Sequence, residues 1–137
     1  MKKTVLVSVA ILLVAVGCKR HPAAEGNIRV ENKLNKKIIC ILGYNYPNLK
    51  LDFTTPHELL ADSNLFQVDT NQIKELDTLG LCKKDTWNKY VKQSLLMLFV
   101  FDKKKLAHAK TPEDALMERY YFSYTQLLSD KGVIVVY

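Results

Sequence analysis

Glycine is scarce in this sequence, with five residues in 137 and none clustered. A Gly-rich loop that cradles phosphate between a strand and a helix needs several at fixed spacing, so that motif is excluded. Histidine is thinner still, at positions 21, 57 and 108 only. His57-Glu58 begins a zinc-protease pattern, but Ala61 stands where the second His is required. His57 therefore reads as a loop residue, and no metal site or cofactor is expected. No Gly-x-Ser-x-Gly turn occurs, and Ser63 and Ser123 lack the frame a nucleophile needs. Asp69-Thr70-Asn71 with Glu75 lacks the Gly and the spacing of a calcium loop and reads as a turn. Lysines come in pairs and one triplet rather than a long run, which makes nucleic acid a poor partner. There is no internal repeat, and no apolar run reaches the ~20 residues of a spanning helix.

What the sequence does have begins at its start. Met1-Lys2-Lys3 is basic, an apolar stretch of 12 residues runs from Val5 to Val16, and Gly17 is small. These are the parts of a secretory signal over residues 1–17. Val14-Ala15-Val16-Gly17-Cys18 resembles the lipobox of bacterial lipoproteins, with Ala15 where that family usually has Leu. The resemblance implies a diacylglyceryl group on the Cys18 thiol, cleavage before it and a further acyl chain such as palmitate on the new amine. Two or more chains hold a protein stably to a membrane. Cleavage leaves residues 18–137, 120 in all, with 18 Lys and Arg against 14 acids once Lys2 and Lys3 are gone. That length suits one domain with one modest core. Its mild positive charge would let it lie near anionic lipid.

Residues 18–27 are polar, carry Pro22 and Gly26, lack periodicity and read as a tether. The domain then spans 28–137. Ile28 to Asn32 alternates like a half-buried strand, and Ile38 to Tyr44 is a nearly unbroken apolar run with β-branched residues, suited to a strand buried on both faces. With a polar turn between them they read as a hairpin. Leu49 to Phe53, Leu65 to Asp69 and Ile73 to Leu81 read as further short strands. Thr55 caps a helical turn opened by Pro56. Asp85 reads as the cap of a helix over 86–93, with Trp87, Tyr90 and Val91 on one face. Ser94 to Phe101 is the strongest apolar segment and reads as a central strand stopped at Asp102-Lys-Lys-Lys105. Thr111-Pro112-Glu113-Asp114 opens another helix. Arg119 to Tyr124 is strand-like, Thr125 to Asp130 is a helical turn closed by Gly132, and Val133 to Tyr137 is a last strand.

These elements predict a mainly β domain, a small antiparallel β-sandwich with two or three short helices. The alternative is an α+β layer in which segments around Trp87 and Leu116 cover one sheet face. Asn-x-x-x-Lys-Lys-Ile before an apolar strand that ends in Tyr44-Asn-Tyr-Pro47 is one structural signature. Trp87 ahead of a strand ending Phe99-Val-Phe-Asp102 is another, and a Tyr-rich segment, a short helix and a β terminus complete it. Over residues 28–137 this resembles a group of small lipoproteins of Bacteroidetes-type bacteria. That resemblance implies an address and not a mechanism. Surface-displayed lipoproteins of those bacteria carry an acidic stretch after the lipid cysteine. Here Lys19-Arg20-His21 is basic, which favours the periplasmic face of the outer membrane.

Cys40 and Cys82 remain after Cys18. An exported chain permits a disulfide between them, while Cys40, inside an apolar run, also suits a small buried hydrophobe. Asp77-Thr78-Leu79 resembles the acceptor site for O-glycans in exported Bacteroidetes-type proteins, with Thr78 as the acceptor. Tyr44, Tyr46, Trp87 and Tyr90 fall near element ends, where aromatics stack on sugars or anchor a partner, or simply fill a small core. The expectation is a non-enzymatic, membrane-anchored envelope lipoprotein that binds an envelope protein or glycan or serves as a structural module. The alternative is a small hydrolase, or an inhibitor of one, whose site is assembled from distant residues.

Overall fold

The computed structural model describes residues 27–49, 55–61, 66–76, 79–91, 93 and 95–137. Cys18, the tether up to Gly26, Thr78 and most of the strand expected at Leu49 to Phe53 lie outside them. The described strands are β1 (Arg29–Asn32), β2 (Ile38–Gly43), β3 (Gln67–Val68), β4 (Ile73–Glu75), β5 (Leu95–Asp102), β6 (Leu116–Ser123) and β7 (Val133–Val136). They form two sheets, one of order β4-β1-β7 and one of order β3-β2-β5-β6. Short helices α1 (Pro56–Ala61), α2 (Lys84–Tyr90), α3 (Lys103–Leu106) and α4 (Tyr124–Ser129) and a 3-10 turn (Pro112–Ala115) accompany them. The fold is mainly β.

The long apolar segments behave as their composition requires. β2 and β5 pair antiparallel from Ile38↔Asp102 to Gly43↔Met97 at the centre of the four-stranded sheet. Ile38, Ile39, Cys40 and Ile41 are all buried, as are Leu96 to Asp102. One face of this sheet, with Ile38, Cys40, Leu96, Leu98 and Val100, packs with Ile28, Val30, Ile134 and Val136 of the other sheet. The opposite face, with Ile39, Ile41, Met97, Phe99 and Phe101, is covered by Leu59 of α1, Leu106 of α3 and Ala115. A strand buried on both faces cannot alternate in polarity, so an unbroken run marks it.

Three expectations need correction. Ile28–Asn32 and Ile38–Tyr44 do not pair as a hairpin: β1 pairs with β4 and β7, and β2 with β3 and β5. The chain changes sheets between them, and Asn32 holds the corner. Its buried side chain donates to Lys36 O (2.8 Å) and Val68 O (3.1 Å) and accepts from Leu34 N (2.9 Å), so the turn and both sheets share one amide. Nor are the pairings all antiparallel, because β7 returns alongside β1 in parallel. The segments at Leu65 and Ile73 give only two- and three-residue strands, the latter ending well before Gly80 at φ 79°.

The helix ends follow local chemistry. Thr55 N–H donates to Glu58 Oε2 (3.1 Å) and Glu58 N–H to Thr55 Oγ1 (3.3 Å), a reciprocal cap for α1. His57 therefore sits in that helix, exposed, and not in a loop. Ser123 and Gln126 cap α4 in the same way, at 2.9 and 3.2 Å. Asp85 is not the cap of α2: Lys83 holds that position and Asp85 lies in the first turn, where its charge still suits the positive helix end. At the end of α4 the left-handed cap residue is Lys131, and Gly132 follows, donating to Leu127 O at 2.8 Å.

Candidate functional site

The antiparallel register of β2 with β5 puts Lys36-Lys37, just before β2, beside Lys103-Lys104-Lys105, just after β5. Asp102 organises this junction. It ends β5, its Oδ1 accepts from the backbone of Lys104 (2.9 Å) and Lys105 (3.1 Å), and its Oδ2 lies 3.0 Å from Lys36 Nζ. Burial pushes the Asp102 carboxyl up, but the Lys105 amide, the Lys36 ammonium and the Lys104 amide outweigh it and hold the group below the usual carboxylate range. Lys103 N–H donates to Lys37 O at 3.4 Å, and Lys103 Nζ contacts Gln67 Oε1 of β3. Three segments distant in sequence are thereby fixed at one end of the domain.

Two clefts open there. The first, about 510 Å³, is lined by Asn35, Lys36, Lys37, Thr70, Lys103 and Lys104, with Ala107 beside them. The second, about 550 Å³, is lined by Lys104, Lys105, His108, Ala109, Lys110 and Asp114. Lys104 belongs to both. Together the walls carry Lys36, Lys37, Lys103, Lys104, Lys105 and Lys110, and only Asp114 among acids. Asp102 lies buried behind Lys36, and Asp69 is 3.9 Å from Lys37, so the local excess of positive charge survives both. The turn around Asp114 is set by its own cap, with Thr111 N–H donating to Asp114 Oδ2 at 3.0 Å. That amide bond, with the Thr111 side chain and the Lys110 amide and charge, draws the exposed Asp114 carboxyl below its ordinary range, so it stays an anion.

The lysines of this pole carry no motif. Their pairs and triplet are unremarkable along the chain, and only the pairing of β2 with β5 brings them together. The one available signal was charge at both outer ends of two long apolar runs, which any antiparallel pairing of those runs would juxtapose.

The four aromatics proposed as a contact surface do not form one. Trp87 is 3 % exposed, sits in the core between the sheets, and lies 5.3 Å from the Tyr124 ring. A contact role for Trp87 is thus overturned: α2 turns its Trp87–Val91 face inward, where burying the indole outweighs exposing it. Tyr44 and Tyr90 pack against the same core. Tyr46 packs instead on the helix-covered face and meets Tyr121 edge-on at 5.7 Å. Tyr46 lines a shallow hollow of about 430 Å³ with Asn45, Pro47, Asn48 and Gln93, at the opposite end of the sheet from the lysines.

Cys40 and Cys82 are not bonded to each other. Cys40 is fully buried between the sheets, and burial pushes its thiol up to about 12. A thiol in that state is neutral at physiological pH and is no nucleophile. Cys82 lies near the first described residues, with Sγ 3.8 Å from Asn27 O. Among the described residues, no three His, Cys, Asp or Glu side chains gather as a metal-holding group, and no helix is long and apolar enough to cross a membrane.

No protein-family model, no curated protein and no solved structure matches this chain significantly. The geometry of the lysine pole is therefore the argument for function.

Proposed function

We propose that this chain is a non-enzymatic binding module of a bacterial cell envelope, held by lipid on Cys18 at the periplasmic face of the outer membrane. The lysine pole carries the binding part of this reading. It is a pair of open, lysine-lined depressions built on the ends of the most buried strands. Such an arrangement attracts and orients an anion. The signal-like start and Cys18 carry the anchor part. Asn27, where the tether meets the domain, lies at the start of β1, and the lysine pole lies at its far end beside Asn32. The five steps from Asn27 to Asn32 cover about 17 Å of extended chain. The clefts therefore lie at the opposite end of β1 from Asn27.

Intact mass spectrometry of the protein extracted from membranes tests the anchor. The expected result is a chain beginning at Cys18 with the mass of two or three acyl chains added. The Cys18→Ala variant should lose both the added mass and the membrane fraction. A free Cys18 thiol on a chain recovered in the soluble fraction overturns the anchored reading.

A further inference from the structure

We infer that the two clefts of the lysine pole are one bipartite receptor for a ligand carrying at least two phosphate groups, one seated in each cleft, with Lys104 shared between them. This deepens the binding-module reading and is independent of the lipid anchor.

The chemistry of the walls selects the ligand. Six lysines supply the positive charge of the walls, and neither cleft holds an Arg. The guanidinium fork of Arg serves carboxylate and phosphate alike. A Lys ammonium is a compact point charge that binds phosphate without a bidentate fork, so all-lysine walls suit a phosphate held by charge. Asn35 and Thr70 add an amide and a hydroxyl at the rim of the first cleft, the neutral donors that finish the coordination of an anion already held by charge. Ala107 and Ala109 follow α3 and line one cleft each, leaving room beside the lysine stems for the apolar or sugar part that joins the phosphates.

The frame under the lysines is fixed, and that distinguishes a receptor from a diffuse basic patch. Lys36 is held by Asp102 and Lys103 contacts Gln67, so two of the six ammonium groups are positioned before any ligand arrives. Lys37, Lys104, Lys105 and Lys110 supply the remaining charge. Asp114 sits at the edge of the second cleft, and its carboxylate disfavours a ligand with more negative charge on that side. The first cleft, with four lysines and no acid in its wall, takes the more highly charged phosphate. Two seats joined by one residue favour a linked ligand over two free anions, because the second contact becomes intramolecular.

The phosphates can be borne by a soluble compound or by a lipid headgroup, and one titration separates these. The full-length protein in neutral detergent micelles is titrated calorimetrically at constant ionic strength with inorganic tripolyphosphate and with orthophosphate. Tripolyphosphate should bind at least about tenfold more tightly, as linkage of two seats requires. Lys104→Ala should weaken tripolyphosphate binding at least about tenfold, and Lys89→Ala, at the far side of the domain, should leave it within about twofold. Circular dichroism melts confirm that each variant is folded. Adding cardiolipin, whose headgroup carries two phosphates, to the micelles, against phosphatidylglycerol with one as reference, then identifies the source: stronger competition by cardiolipin with tripolyphosphate assigns a lipid headgroup, and no competition a soluble phosphorylated ligand. Equal affinity for tripolyphosphate and orthophosphate, or unchanged binding in folded Lys104→Ala, overturns the proposal. Affinity for phosphatidylglycerol without affinity for tripolyphosphate also overturns it, since that is attraction to a charged surface and not occupation of two seats. Failure here leaves the acylation of Cys18 untouched, because that is read from mass alone.

Discussion

Lys36 Nζ and Asp102 Oδ2 lie 3.0 Å apart across the junction where β2 begins and β5 ends. Asp102 is 6 % exposed and also caps α3, so one carboxylate ties two central strands and a helix to the lysine pole. Its folded pKa is depressed, so its contribution is present above the unfolded value near 3.8 and is lost as pH falls through the lower folded value. The wild type should therefore lose stability below about pH 4 partly through this group. Asp102→Ala should cost about 2 kcal/mol at neutral pH, from the lost cap and the stranded ammonium, and should flatten that acid limb. Urea titrations of both proteins at pH 7 and pH 3 check this. An equal acid dependence in the variant would show that Asp102 is not the titrating group.

Cys40 makes the opposite prediction at high pH. Burial raises its thiol from 9.0 to about 12, so between those values the unfolded chain ionises and the folded one does not. Stability should then fall with rising pH at roughly 1.4 kcal/mol per unit. Cys40→Ala should remove that slope while lowering stability at pH 7 through a small cavity. The difference between wild-type and variant unfolding free energies, followed from pH 8 to 10.5, isolates this thiol from the lysines that also titrate. A difference independent of pH would mean that the Cys40 site admits water.

These two sites mark how far the sequence could be read. The apolar run at Ile38 announced a doubly buried strand and that from Ser94 to Phe101 a central one because little that is polar interrupts them, and the caps at Thr55 and Thr111 were legible because they act within four residues. What was illegible is long-range. Asn32 looked like a turn residue, yet its amide decides that β1 and β2 enter different sheets by bonding Val68 O, 36 positions away. β1 finds β7 in parallel from the other end of the chain, a pairing that no local pattern encodes. The lysine pole was hidden for the same reason, since Lys37 and Lys103 become neighbours only through the register Ile38↔Asp102. Trp87 was visible as one face of a helix, but whether that face met core or partner depended on where α4 and its Tyr124 would lie.

Trp87 and Tyr46 should separate cleanly by mutation. Trp87 is buried against Tyr124, whose hydroxyl donates to Cys82 O at 2.9 Å. Trp87→Ala should cost about 3–5 kcal/mol, enough to unfold a marginal domain at 37 °C. Trp87→Phe should keep most of the packing. Tyr46 is half-buried at the far rim, and Tyr46→Ala should cost about 1 kcal/mol, the edge-on contact with Tyr121 included. Thermal melts rank the three variants, and a Tyr46→Ala loss as large as that of Trp87→Ala would place Tyr46 in the core after all.

Gly132 is the position where the backbone leaves least freedom. Its φ is +72°, and a Cβ there would lie 2.9 Å from Cys82 Sγ and 3.0 Å from Asn27 O. The strain and the clash are separate, because the first belongs to the turn after α4 and the second to the close approach of β1, whose Arg29 N–H donates to Gly132 O at 2.8 Å. Gly132→Ala should cost about 2–3 kcal/mol through both effects. In a Cys82→Ala background the same change should cost less, since the sulfur is gone and only the conformational strain and the Asn27 carbonyl remain. A double-mutant cycle by urea unfolding measures the coupling. Strict additivity would show that the turn moves away from Cys82 at no cost, and that the parallel β1–β7 pairing does not depend on the close fit at Gly132.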